Sequence, residues 1–391
     1  MIVIVGGGTA GITVAARLVR AGKAGQVTLI EPSEKHYYQP LWTLVGGGIT
    51  TVAESLRQEK DLIPHGVEWV KEKVASFQPE ENQVTLASGK TLAYDYLIVA
   101  PGIQIDWNKV EGLVESIGKD GVCSNYDQRF VDSTWTSLQA VREGDVVFTM
   151  PSTPVKCGGA PQKIAYLAAD YLKQHGLAGK TRVHFYSAGA KLFAVPEFEK
   201  VLSQTVARYG IQTHFRQDLV KVDAARKVAI FKNMDTGALT EQPYAMLHVT
   251  PPMSAPDFIK SSPLANQAGW IEADIKTLQH PRFLNVFALG DAAGLPTSKT
   301  GAAIRKQAPV LVSNLLAVME KKAPTATYDG YTSCPVVTGY GRLVMAEFDY
   351  DNNVKQSFPF IDQKKERWDM YMVKRHLLPQ MYWHGMLKGL L

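Results

Sequence analysis

Met1-Ile2-Val3-Ile4-Val5-Gly6-Gly7-Gly8-Thr9-Ala10-Gly11 opens the chain and decides its fold class. Five apolar residues without a turn former read as a buried strand. Ile12 to Ala21 reads as a helix with an apolar face at Ile12, Ala15, Ala16 and Val19. Val27-Thr28-Leu29-Ile30-Glu31 reads as a second strand, and its acid stands twenty residues beyond Gly11. Strand, G-x-G-x-x-G, helix, strand and acid in that order make a dinucleotide fingerprint. Gly6 allows the tight turn, Gly8 lets the backbone approach a diphosphate, and Gly11 lets helix and strand pack closely. Thr9 and Ala10 begin the helix, whose free N–H groups suit a diphosphate. Glu31 is placed to hydrogen-bond a ribose.

The chain has 391 residues, more than one ordinary core fills, so two or three domains are expected. Hydrophobic residues make up 46% and charged residues 20%, which excludes a disordered chain. No run of eighteen apolar residues marks a transmembrane helix. The chain begins directly on a strand, so no signal or transit peptide is expected within it, removal of one from a precursor being the alternative. The net charge of +5 is compatible with anionic partners or an anionic membrane surface. Basic residues are scattered without interleaved aromatics, so nucleic acid is not an expected partner. Cys123, Cys157 and Cys334 form no Cys-x-x-Cys pair, and the nine histidines show no ligand spacing, so no metal site is expected.

Further along, His36 to Gly48 reads as an aromatic, glycine-rich loop, and residues 52–61 read as helical. Val67 to Gln78 and Gln83 to Leu86 read as strands of a small antiparallel sheet. Tyr96 to Ala100 reads as a buried strand stopped by Pro101-Gly102. A second α/β unit follows, with strands at Asp145 to Thr149, Arg182 to Tyr186, Val222 to Lys232 and Met246 to Thr250. Its helices are expected at Pro161 to Gln174 and Lys200 to Tyr209. Phe283 to Asp291 returns to a strand ending in Gly290-Asp291, and a helix runs from Gly301 to about Glu320. These segments divide the chain into a discontinuous first domain (1–102 with 280–327), a second domain (103–279) and a C-terminal region (328–391).

The Gly6–Gly11 loop with Glu31, the strand end Ala100-Pro101-Gly102 and the strand end Leu289-Gly290-Asp291 together resemble the two-dinucleotide-binding-domain flavoproteins of the glutathione-reductase-like group. That resemblance implies two Rossmann-like domains and FAD in the first. It places Asp291 on the ribityl or diphosphate part, although a helix cap is the plainer role for an aspartate there. The matching turn of the second unit is Tyr186-Ser187-Ala188-Gly189-Ala190-Lys191-Leu192. Ser187 and Leu192 stand where glycines are needed, so the nicotinamide site reads as degenerate and the reductant must come from elsewhere.

Cys157 lies at a strand-to-helix junction, where a helix N-terminus and Lys156 and Lys163 favour the thiolate. Cys334 lies in another turn. Each alone is equally compatible with an inert buried thiol, and Lys163 with a solvated helix lysine. Two longer stretches decide the matter. Thr153-Pro154-Val155-Lys156-Cys157-Gly158-Gly159-Ala160-Pro161-Gln162-Lys163 and Tyr328 to Tyr340 around Cys334 resemble the cysteine segments of the sulfide:quinone oxidoreductases, in the branch that includes the mitochondrial enzymes. His36 to Gly46, Thr297-Ser298-Lys299-Thr300 and Ala346 to Tyr350 resemble that family too.

The resemblance implies oxidation of hydrogen sulfide at a Cys157–Cys334 pair bridged by a disulfide or an extra sulfur. Cys334 would keep the added sulfur as a persulfide, and Cys157 would face the flavin as a thiolate supported by Lys163. Glutathione, sulfite or more sulfide would take the sulfur, and a membrane quinone the electrons. Lys299 joins the flavin-binding set, and Cys123 is expected to be a bystander. Residues 364–391 read as two helical pieces broken at Pro379, rich in Trp, Tyr, Met and Leu with basic residues. That composition suits a helix in a bilayer interface of a bacterial plasma or mitochondrial inner membrane. A core helix pair or a homodimer interface are the competing readings. Phe358, Phe360 and Lys374 are placed by resemblance near the quinone. Two alternatives share parts of this pattern: a type II NADH:quinone oxidoreductase, and the flavin subunit of a flavocytochrome sulfide dehydrogenase.

Overall fold

A computed structural model describes residues 1–358 and 360–391. The opening strand, Ile2–Val5, lies at the centre of a five-stranded sheet in the order Val286–Ala288, Tyr96–Val99, Ile2–Val5, Val27–Ile30, Val67–Val70. All four pairings are parallel. The middle strand is fully buried, which explains its unbroken apolar sequence: a parallel strand covered on both faces has no polar side. Thr9–Leu18 forms the first helix and packs against the long helix Gly301–Met319.

A second parallel sheet has the order Val122–Cys123, Met246–His248, Gly144–Met150, Thr181–Ser187, Gln212–Phe215. The helix Ala160–Gln174 leaves its central strand, and the antiparallel hairpin Thr332–Gly339 with Arg342–Phe348 packs on that helix. The hairpin therefore sits where the first turn of the helix can meet it.

Several local expectations need correction. Residues 52–61 are not one helix. Two short 3-10 turns flank Leu56–Gln58, which pairs antiparallel with Lys35–Tyr37. The expected loop at His36 to Gly48 thus contains half of that pair and a short helix, Trp42–Gly46. Val67–Val70 joins the parallel sheet, while the antiparallel sheet consists of Val74–Gln78, Gln83–Leu86 and Thr91–Ala93. Val222 to Lys232 is not one strand: it spans the end of Gln217–Asp223, a turn at 224–227 and most of the antiparallel partner Val228–Asn233.

Pro379 does not break the C-terminal helix. Trp368–Met372 continues through Val373–Leu377, Leu378–Gln380 and Met381–Gly385. The segments on both sides of Pro379 are wound as π-helix. A wider turn accommodates a residue that has no N–H and crowds the carbonyl four residues back. No helix among the described residues is long and apolar enough to cross a membrane.

Candidate active site

The loop Gly6–Gly11 is built by close approach. A side chain at Gly6, which has φ +99°, would collide with the backbone of Ala100 and Pro101, and one at Gly11 would run into the Gly6 carbonyl. Gly8, by contrast, faces open space. The helix starting at Thr9 has no side-chain cap, so its first N–H groups are unspent. Glu31 accepts from the Gly7 N–H at 2.7 Å and from the Ser33 N–H at 2.7 Å. Burial raises its carboxyl pKa against the effect of those two bonds.

At the neighbouring strand end, Gly290 adopts φ +70° and packs against Ala10 and Ile304. Asp291 follows; burial raises its carboxyl, and Lys299 and Lys156 oppose the rise. Gly102, with φ +81°, stands in open space after Pro101. An unspent helix N-terminus, an open Gly8 and a carboxylate at the next strand end form a cradle that fits a flavin dinucleotide. Lys299 is tied to its own loop. Its ammonium donates to the Asp291 carbonyl at 2.7 Å and the Ala293 carbonyl at 3.2 Å, and lies 3.9 Å from the Trp270 ring centre.

The two cysteines, 177 positions apart, have their sulfurs 3.6 Å from one another. Cys157 sits just before the helix Ala160–Gln174 in a left-handed conformation, φ +54°, and its N–H donates to the Lys299 carbonyl at 2.8 Å. That bond ties the thiol's backbone to the segment following Asp291. Cys334 lies on the strand Thr332–Gly339. Gly159 makes their meeting possible, because any side chain there would overlap the Cys334 sulfur. Sequence reasoning passed over that glycine, since its neighbour is distant in the chain.

Lys163, one helical turn on, is 3% exposed and donates to the Cys157 sulfur at 3.1 Å. The Cys334 thiol donating to it and, against the cost of burial, the Lys163 ammonium hold Cys157 well below the usual thiol range. Cys334 is held above that range by the same bond and by burial. Burial opposes the charge on Lys163, but the two sulfurs raise its pKa on balance. The site thus contains one thiolate, one thiol and one ammonium, a charge pattern suited to thiol–disulfide exchange.

Lys374 is also buried here, with its ammonium donating to the Pro40 carbonyl at 3.1 Å. Burial first, then the like charge of Lys163, lowers it to about 7. Phe360 is fully exposed and Phe358 partly so. These three residues therefore do not share one environment: Lys374 belongs with the cysteines, the phenylalanines with the surface. Cys123 is fully buried, and burial pushes its thiol up to about 12, as suits a bystander. Among the described residues no cluster of side chains could hold a metal ion.

In the second unit no helix starts at the Ser187–Leu192 turn; the next helix begins at Pro196. The Ser187 hydroxyl accepts from the Gly189 N–H at 3.1 Å, and Arg216 donates to the Ala188 carbonyl at 3.2 Å and the Gly189 carbonyl at 3.1 Å.

One loop ready for a dinucleotide, beside two cysteines in reach of one another, defines the class as a flavin-dependent disulfide oxidoreductase. Residues 1–314 match the family described as pyridine nucleotide-disulphide oxidoreductase. The chain is 44% identical to the mitochondrial sulfide:quinone oxidoreductase of Mus musculus, over 99% of this chain and 86% of that protein. It is 47% identical to that of Dictyostelium discoideum, with the same coverage. The solved sulfide:quinone oxidoreductase of Aquifex aeolicus superposes with a TM-score of 0.85 at 20% identity, covering 100% of this chain and 92% of that one. The chain belongs to the sulfide:quinone oxidoreductase family.

Proposed function

We propose that the protein oxidises hydrogen sulfide to sulfane sulfur, with FAD as its cofactor and a membrane quinone as electron acceptor. The observation that carries this reading is the 3.6 Å sulfur–sulfur distance between Cys157 and Cys334 with the Lys163 ammonium on Cys157. Two S–S bonds of about 2.05 Å set at an open angle span roughly 3 Å, so the gap suits either a direct bridge or one intervening sulfur after small movements.

Gly6, Gly8, Thr9, Ala10, Gly11, Glu31, Ala100, Pro101, Gly102, Gly290, Asp291 and Lys299 would hold the FAD. When bound it accepts two electrons at the cysteine pair and passes them on to the quinone. In the oxidised pair, hydrosulfide attacks the Cys334 sulfur; a new S–S bond forms there and the bond to Cys157 breaks. Cys334 now carries a persulfide, and Cys157 leaves as a thiolate bearing the electron pair. Lys163 stabilises that thiolate, which makes Cys157 the better leaving group of the two. A nucleophile such as glutathione, sulfite or sulfide removes the outer sulfur from Cys334. The bridge between the cysteines reforms as the pair gives up two electrons. Lys374, titrating near neutrality beside both sulfurs, holds or releases a proton at its Nζ as charge at the site changes.

The discontinuous first domain, 1–102 with 280–327, carries the flavin, 103–279 supplies Cys157, and 328–391 supplies Cys334 and the membrane-facing surface. The exposed Phe360, Trp368, Leu377 and Leu390 support a peripheral seat on a bilayer, from which a lipid-soluble quinone is reached. Anaerobic mixing with sulfide should bleach the flavin, and a short-tail quinone should restore it. Bleaching by NADH and not by sulfide would refute this function in favour of an NADH:quinone oxidoreductase.

A further inference from the structure

Four side chains from distant parts of the chain form one run of hydrogen bonds beneath the dinucleotide loop. Glu59 Oε2 accepts from His36 Nδ1 at 3.1 Å. His36 Nε2 lies 2.6 Å from the Tyr382 hydroxyl. That hydroxyl lies 2.8 Å from Thr9 Oγ1. Glu59, His36 and Tyr382 are all at least nine-tenths buried. The run leaves the loop at Thr9 and returns to it at Gly7, because Glu59 Oε1 and Glu31 fill the space a Gly7 side chain would need. Glu59 Oε1 itself is buried without a hydrogen-bond partner.

Tyr382 is held in two independent ways. Its ring packs 4.4 Å from Tyr38 and 4.9 Å from Trp383, centre to centre. Its hydroxyl is spent on His36 and Thr9 alone. The segment that carries it then runs on to Gly389, which has φ +69° and lies against the backbone of Ala16 and Arg17. The end segment therefore touches the dinucleotide helix at its first turn, through Thr9, and again near its far end.

Thr9 is the first residue of that helix, beside the open Gly8. A hydroxyl at this position faces the oxygens of a diphosphate seated on the N-terminus. A free threonine hydroxyl rotates; one bonded to a fixed phenol does not. We propose that Tyr382, oriented by His36 and Glu59, is a positioning residue for the bound dinucleotide. It fixes the Thr9 hydroxyl toward the diphosphate, so that flavin occupancy and docking of residues 381–389 on the helix Thr9–Leu18 stabilise each other. This inference rests on FAD being the ligand of the Gly6–Gly11 loop. Linkage makes the coupling reciprocal: the segment slows flavin release, and flavin slows opening of the segment.

The test compares Tyr382→Phe with Tyr38→Phe in the flavin-loaded protein. Each removes one hydroxyl and keeps the stacked rings, but only the first cuts the run to Thr9. Flavin release is followed by recovery of flavin fluorescence after dilution. Loss of the hydrogen bonds that hold Thr9 should speed release about tenfold in Tyr382→Phe and leave Tyr38→Phe at the wild-type rate. Amide exchange over residues 381–389 should be slower with flavin than without it in the wild type, and this difference should vanish in Tyr382→Phe. Release at the wild-type rate in Tyr382→Phe would overturn the proposal, and so would equal acceleration in Tyr38→Phe, which means general loosening. A wild-type protein purified with FMN or with no flavin would instead sink the FAD reading on which it rests.

Discussion

Two loops in this molecule leave the carboxyl end of an interior parallel strand, and only one is open. After Ile2–Val5 the chain enters its helix at Thr9, with Gly8 facing free space and no side chain on the helix N-terminus. After Thr181–Ser187 the chain runs on to Pro196 before a helix begins. The polar groups of that second loop are spent on the protein itself. The Gln162 amide donates to the Leu192 carbonyl at 2.5 Å, Arg216 holds two carbonyls, and Asp235 pairs with Arg216 at 2.7 Å. A dinucleotide site needs unspent backbone N–H groups at a helix start, and topology alone does not supply them. The second sheet contributes through its neighbouring crossover instead, where Gly144–Met150 leads to Cys157.

Several substitutions would break or sharpen this contrast. Cys334→Ser should have the largest effect, abolishing flavin reduction by sulfide while the protein stays yellow; anaerobic stopped-flow absorbance checks both points. Next come paired glycine changes. Gly11→Ala forces a side chain into the Gly6 carbonyl and should yield protein that has lost most of its flavin. Gly189→Ala meets the Ser187 hydroxyl at 3.3 Å and the Lys191 carbonyl at 3.8 Å, at an ordinary φ, and should keep its flavin and melt within a few degrees of wild type. Equal flavin loss in both would erase the distinction between the loops.

Lys163→Met should slow flavin reduction by about 10- to 100-fold, by analogy with loss of a charged partner worth about 1.5–3 kcal/mol. It also tests the thiolate. Cys157 is held below the usual thiol range, so it is charged at neutral pH and its alkylation in the reduced protein should be nearly independent of pH there. Without Lys163 the thiol pKa rises, and alkylation should increase as pH is raised. The smallest effect is expected for Arg216→Ala, which removes a solvent-screened ion pair with Asp235. Differential scanning calorimetry should show a small loss of stability, and NADH should still fail to bleach the flavin. Flavin reduction by NADH in that variant would mean that the second loop is merely latched.

The parts legible in the sequence were those whose physics is local. The strand, glycine loop, helix and acid at residues 2–31 lie within one supersecondary unit, so spacing alone located them. Cys157, just before a helix, and Lys163, in its first turn, are six residues apart and were legible for the same reason. Gly159 was not, because its constraint comes from Cys334 on another element. The His36–Glu59–Tyr382 run was invisible, since its partners are up to 346 positions apart and each residue alone looks like an ordinary core polar group. Residues 52–61 were misread because Leu56–Gln58 takes its conformation from Lys35–Tyr37, not from its own propensity. Pro379 misled because the usual cost of proline assumes α-helical winding.

The contact between Thr9 and Tyr382 also bears on how the protein is made. The two residues are 373 positions apart, so a ribosome finishes the dinucleotide loop long before it synthesises the residue that latches it. At about 5–20 residues per second, the loop waits roughly 20 seconds or more in the nascent chain. Cofactor captured during that interval can still escape; cofactor present when residues 381–389 dock is retained. Supply of flavin while residues 381–389 are being made should therefore govern the yield of loaded protein, and truncation before Tyr382 should produce an apoprotein even though every residue of the glycine loop is intact.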